Sequence, residues 1–195
     1  MTKNTCVAFV LCALFSSNSF SCNREEGIFT KEAKPIYTAF SEKNWKKVLP
    51  LINDLQESPL KNYWLGMWYY SKENEMYNPQ TSIELWETAS KQGCFEAKLT
   101  LAGALFTAKD PRIANIGKSI TLYKELLPDL EKKSQSGSST ALCNLGLMYM
   151  LGIVVQKDLK KSLALYERVS DIDDTVNNCK SNYEILQKLK GLGEL

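Results

Sequence analysis

The chain contains no histidine. That absence removes every mechanism built on a Ser–His or Cys–His pair, and with it the commonest metal ligand. An excess of one charge is missing too, since Lys plus Arg number 24 against 22 Asp plus Glu, a formal +2 at pH 7. Near-balance argues against nucleic acid or an acidic membrane surface as the main partner. No two cysteines stand as C-x-x-C, so without histidine neither a metal nor a metal cofactor is expected. Long apolar runs are scarce. The one that stands out, Cys6 to Phe15, has ten residues, too few to span ~30 Å of hydrocarbon as a helix.

That run is instead the centre of a targeting segment. Lys3 supplies positive charge ahead of it, and Ser16 to Ser21 supplies small residues behind it, the order a signal peptidase reads. Residues 1–21 are therefore expected to be a signal peptide, with cleavage between Ser19 and Cys22, and the mature protein to be periplasmic or secreted. Export leaves Cys22, Cys94, Cys143 and Cys179, which an oxidising compartment turns into one or two disulfides. Cys22 has a second possibility, a lipid tether of the bacterial lipoprotein kind, although Ser19 stands where a Leu-like residue is usual.

At 195 residues with 44% hydrophobic content, the chain suits one globular domain or a short repeat array. Internal repeats decide between the two. Three segments read S-x-x-L-aromatic: Ser82 to Trp86, Ser119 to Tyr123, and Ser162 to Tyr166. Upstream of each lies a second motif: Leu65-Gly66 with Tyr69, Ala102-Gly103 with Phe106, and Leu145-Gly146 with Tyr149. The serine follows the glycine by 16 residues every time. Both motifs carry helical periodicity. Leu142, Leu145 and Tyr149 form one stripe; Leu159, Leu163, Tyr166 and Val169 form another. Asn78-Pro79, Asp110-Pro111 and Gly152 end the first helix of a pair, and Gly93 and the stretch around Gly137 end the second. Glu131 to Ser139, polar and holding the extra residues of the last interval, reads as a flexible insertion. The predicted fold is all-α, an α-α solenoid of about nine helices in which no repeat buries its apolar face alone. Glycine in the first helix lowers propensity by ~1 kcal/mol relative to Ala, which makes sense where two helices approach closely at Gly66, Gly103 and Gly146.

The stretch from Ala141 through Leu145-Gly146, Tyr149 and Gly152 to Val154 resembles the first helix and loop of the Sel-one-like repeat, a relative of the tetratricopeptide repeat. Asp158, Lys161, Ser162, Leu165 and Tyr166 continue the pattern, with Ile153-Val154-Val155 where the family has a second glycine and Val. The first repeat matches down to Ala89 and Gly93; the middle one is degenerate. The division that follows is a signal peptide at 1–21, a helical cap at 22–58, repeats at 59–93, 94–137 and 138–171, and a capping helix at 172–195. Cap helices are expected over Thr30 to Ser41 and Trp45 to Gln56, with Pro35 and Pro50 near first turns, and a closing helix over Cys179 to Lys190. In this frame Cys179 lies one repeat length after Cys143, so the two favour a disulfide between neighbouring helices; the alternative is a pair of buried free thiols.

The resemblance implies an adaptor that binds another protein and brings no catalytic residues. Carboxylates such as Glu125 and Glu131, or Asp171, Asp173 and Asp174, read as solvated helix ends, and Lys157, Lys160 and Lys161 as a solvated face. Ser82, Ser119 and Ser162 recur in the repeat frame and are packing residues. The sharpest functional version is an exported immunity protein that neutralises a toxin effector of a type VI secretion system. An envelope scaffold or host-interaction factor is the alternative, and a helical hydrolase a remote one. For the recognition face, Tyr63, Met67 and Tyr70 share one side of a helix, with Trp68 beside them, and Asn144 and Met148 extend the groove. The competing reading packs these aromatics against the cap and the second helix.

Overall fold

The computed structural model describes residues 30–170 and 177–195; the signal segment, Cys22, Asp171, Asp173 and Asp174 lie outside them. Among the described residues there are nine helices and no strand. They are α1 Lys34–Ser41, α2 Trp45–Asn53, α3 Pro59–Tyr70, α4 Pro79–Lys91, α5 Phe95–Thr107, α6 Ile116–Gln135, α7 Ser139–Leu151, α8 Leu159–Ser170 and α9 Asn177–Gly191. Each helix packs on its neighbours in the chain, α1 on α2 through α8 on α9. This is an all-α solenoid.

Local chemistry places the starts. Asn78, Asn115 and Asp158 each precede a second helix, and each accepts at Oδ1 from the backbone N–H three residues on, at 3.2, 2.9 and 2.9 Å. A helix start leaves such N–H groups orphaned, and these side chains satisfy one apiece. The same three residues donate their own N–H back to the end of the first helix, to the carbonyls of Tyr69, Leu105 and Tyr149. Each of the three central helix–turn–helix units is thus closed by one residue bonding in both directions. Gly93, Gly137 and Gly152 end helices at φ +87°, +86° and +73°, where a side chain would be strained. Lys43, at φ +54°, follows α1 as Gly93 follows α4, and Val154 at φ +66° stands where the resembled family has its second glycine.

A single contact repeats through the three central pairs. The first-helix glycine faces the second-helix aromatic 20 residues later: Gly66 on Trp86, Gly103 on Tyr123 and Gly146 on Tyr166. A Cβ built at Gly66 lies 2.6 Å from Trp86 Cδ1, and one at Gly146 lies 2.8 Å from Tyr166 Cζ, both impossible without a shift. At Gly103 the expectation of crowding is corrected. Its Cβ meets only the Tyr123 hydroxyl, at 3.6 Å, because there the tyrosine reaches the glycine with its terminal oxygen and not with its ring. Two of the repeat serines tie the helices together, Ser119 donating to the Ala102 carbonyl and Ser162 to the Gly146 carbonyl, each at 2.7 Å and buried. In the first pair the Trp86 indole takes this role, donating to the Tyr63 carbonyl at 3.1 Å.

Two further expectations are corrected. Pro50 is not near a first turn but inside α2. With no N–H it leaves the Lys46 carbonyl without its helical donor. Glu131 to Gln135 are not a flexible insertion: they are the last turns of the 20-residue α6. Leu130 is fully buried and Ser134 nearly so, and the Ser134 carbonyl accepts from Arg168 Nη2 at 2.6 Å. The polar composition of the segment conceals that inward-facing pair.

Candidate functional site

The aromatic crowd on α3 is where the N-terminal cap docks. Phe40 of α1 lies 5.5 Å from Trp64 and 5.6 Å from Trp45, centroid to centroid, and Trp45 of α2 lies 5.9 Å from Trp68. Tyr63 meets Trp64 edge-on at 5.2 Å, and Tyr70 meets Trp86 of α4 at 5.2 Å. Tilted and edge-on rings at such spacing are the favoured aromatic arrangements. The consequence for the expected recognition face is a correction. Tyr63 and Trp68 are only 5% and 6% exposed, and Met148 is 0% exposed. They are core. For Trp68 the physical reason is the cap, whose Trp45 packs on it, while Tyr63 is closed over from α5 by Thr100. Met67, Tyr70 and Asn144 are half-buried, and Asn144 spends its side-chain N–H on the Thr140 carbonyl of its own helix, at 2.8 Å. Along the chain α4, α5 and α6 separate α3 from α7.

Burial has electrostatic consequences. The Tyr63 hydroxyl is pushed well above its ordinary pKa by desolvation, partly offset by a hydrogen bond with Thr100. Tyr123 and Tyr166 are both raised to about 12, chiefly by burial. Glu96, at the start of α5, has its carboxyl raised to about 7 by burial, with its own backbone N–H and Lys133 acting against the shift. Its Oε2 is buried without a hydrogen-bond partner, as are the indole nitrogens of Trp64 and Trp68. No group of three or more Cys, Asp or Glu side chains among the described residues is placed to hold a metal.

The positions three residues before the repeat glycines connect successive first helices. Tyr63 of α3 bonds Thr100 of α5, and Cys143 of α7 is joined by a disulfide to Cys179 of α9, with Cα atoms 5.5 Å apart. Cys94 is disulfide-bonded as well. Tyr69, Phe106 and Tyr149 are half-buried against the core, and Lys161 donates to the Tyr149 hydroxyl at 2.7 Å while lying 4.1 Å from its ring centroid. Lys161 thus has a partner on its own repeat. Glu125 likewise pairs with Lys98 at 2.9 Å.

Among solved structures, this arrangement is similar to the crystal structure of a Sel1 repeat protein from Oxalobacter formigenes. The TM-score is 0.50 at 18% identity, covering 79% of this chain and 58% of that one. The fold is Sel1-like. No family model matches the sequence, and no curated protein does. Within the Sel1-like frame, the residues shared across repeats are those that hold helices together: Gly66, Gly146, Trp86, Tyr123 and Tyr166. What differs between repeats is the α1–α2 turn and the loop from Ser71 to Asn78, whose residues sequence reasoning passed over. The signal for that loop was present in Lys72-Glu-Asn-Glu75, a charged run around a single buried Asn74.

Proposed function

We propose that this chain is an exported, non-catalytic protein-binding module of the bacterial envelope, and in its sharpest form an immunity protein that neutralises a type VI secretion effector. The observation that carries the reading is the Cys143–Cys179 disulfide within a repeat solenoid. Such a bond persists in oxidising compartments, and the leader-like residues 1–21 supply a route there. A solenoid offers an extended surface for another protein, and here the repeat serines are occupied in packing: two bond the opposing helix, while Ser82 bonds the Asn78 carbonyl at 3.2 Å. No helix among the described residues is long and apolar enough to cross a membrane.

The test is co-expression. The full chain, produced in the periplasm with the product of each adjacent gene, should rescue growth from one toxic product and co-purify with it in fixed ratio. Deleting residues 1–21 should abolish rescue. If no neighbouring product is toxic or retained, the immunity reading is wrong; if the shortened chain protects equally, export is.

A further inference from the structure

The turn between α1 and α2 and the loop between α3 and α4 flank an open cleft of about 790 Å³ that repeat packing does not explain. Its size falls in the range of small-ligand sites. Trp45 and Trp68 form one corner, their rings at 60° to each other, and the half-exposed Met76 also lines it. Around these lie Glu42, Glu73 and Glu75, with Lys43 and Lys46. The loop is fastened in place. Asn74 is buried, its side-chain N–H donates to the Trp68 carbonyl, and its Oδ1 accepts from the Met76 N–H at 2.6 Å.

From this geometry we propose that the cleft binds a cationic side chain, arginine or lysine, presented by a protein partner. The partly exposed Trp45 ring, backed by the buried Trp68, decides the sign, since aromatic faces carry a negative quadrupole. Their quadrupole attracts a cation and repels an anion, and a polarisable thioether suits the alkyl stem behind the charge. The rim agrees, because its carboxylates outnumber its ammonium groups, and neither Glu42 nor Glu75 is ion-paired with any described residue. Glu73 is held only loosely, 3.8 Å from Lys43, with both side chains more than half exposed to solvent that screens them. An entering guanidinium displaces Lys43 from Glu73 and stacks on Trp45. An apolar side chain would leave that charged rim unanswered. The source of the cation rests on the protein-binding reading; the site itself is testable without any partner.

The probe is Nα-acetyl-arginine methylamide, followed through the indole N–H resonances of the four tryptophans, with the citrulline and phenylalanine analogues as neutral and apolar controls. The arginine compound should shift Trp45 and Trp68 saturably and leave Trp86 in place. The citrulline analogue should bind roughly fivefold more weakly. Glu75→Gln, an exposed change that leaves the melting temperature alone, should weaken arginine binding roughly two- to fivefold. Equal binding of citrulline, tighter binding of phenylalanine, or no saturable shift with arginine overturns the proposal. If a partner is captured while arginine fails to bind, the cleft assignment falls and the protein-binding reading stands; arginine binding with no partner found reverses that.

Discussion

One missing Cβ separates three otherwise matching glycines. At Gly66 and Gly146 an added methyl would collide with the rings of Trp86 and Tyr166, so alanine there should cost about 1–3 kcal/mol, the scale of overpacking. At Gly103 the nearest atom is 3.6 Å away, and alanine should be neutral or stabilising by up to ~1 kcal/mol through helix propensity. Denaturant midpoints of the three single variants test the ordering; equal losses at all three sites would show that the ring contacts do not set the cost. Glu96 makes the second residue-scale case. With a folded pKa of about 7 against an ordinary 4.5, the carboxyl holds its proton in the fold after the unfolded chain has lost it. Stability should therefore fall as pH rises from about 4.5 to 7 and level off above, a loss on the order of 2 kcal/mol. Glu96→Gln should flatten that slope in thermal melts between pH 5 and 8. An unchanged slope would place the titration elsewhere.

At the scale of helices, the Cys143–Cys179 bond links α7 to α9 across 36 residues. Loop-closure entropy for a ring of that size is worth about 3–4 kcal/mol. The double variant Cys143→Ser, Cys179→Ser should unfold at clearly lower denaturant than the oxidised protein, and peptide mapping of the oxidised protein should recover the two cysteines in one linked fragment. Recovery of both as free thiols would remove the link. The helix pairs were legible from sequence because one contact, glycine against an aromatic 20 residues on, imposes its spacing on the chain. What escaped was every feature that depends on a distant segment. Trp64 and Trp68 of α3 look exposed until α1 and α2 cover them, and Glu131 to Gln135 look like linker until Leu130 and Arg168 are seen to hold them. Asn115 escaped for a smaller reason: a cap is one short polar residue in a loop already full of them.

For the molecule as a whole, the candidate site followed the same division. The residues expected to bind, Tyr63, Trp68 and Met148, were chosen for their bulk, which is also what makes them good core. The cleft at Trp45 is formed by a turn and a loop far apart in sequence, and no periodicity announces that kind of meeting. The plain neighbour-to-neighbour order of packing has a further consequence, for how the fold is reached. Each helix finds its main partner in an immediate neighbour along the chain, so a chain delivered amino-terminus first has no distant strand or helix to wait for. Contacts this local favour rapid assembly. Only the covalent link to Cys179, on the last helix, has to wait until nearly the entire polypeptide has emerged, which makes closure of that link a natural mark that delivery is complete.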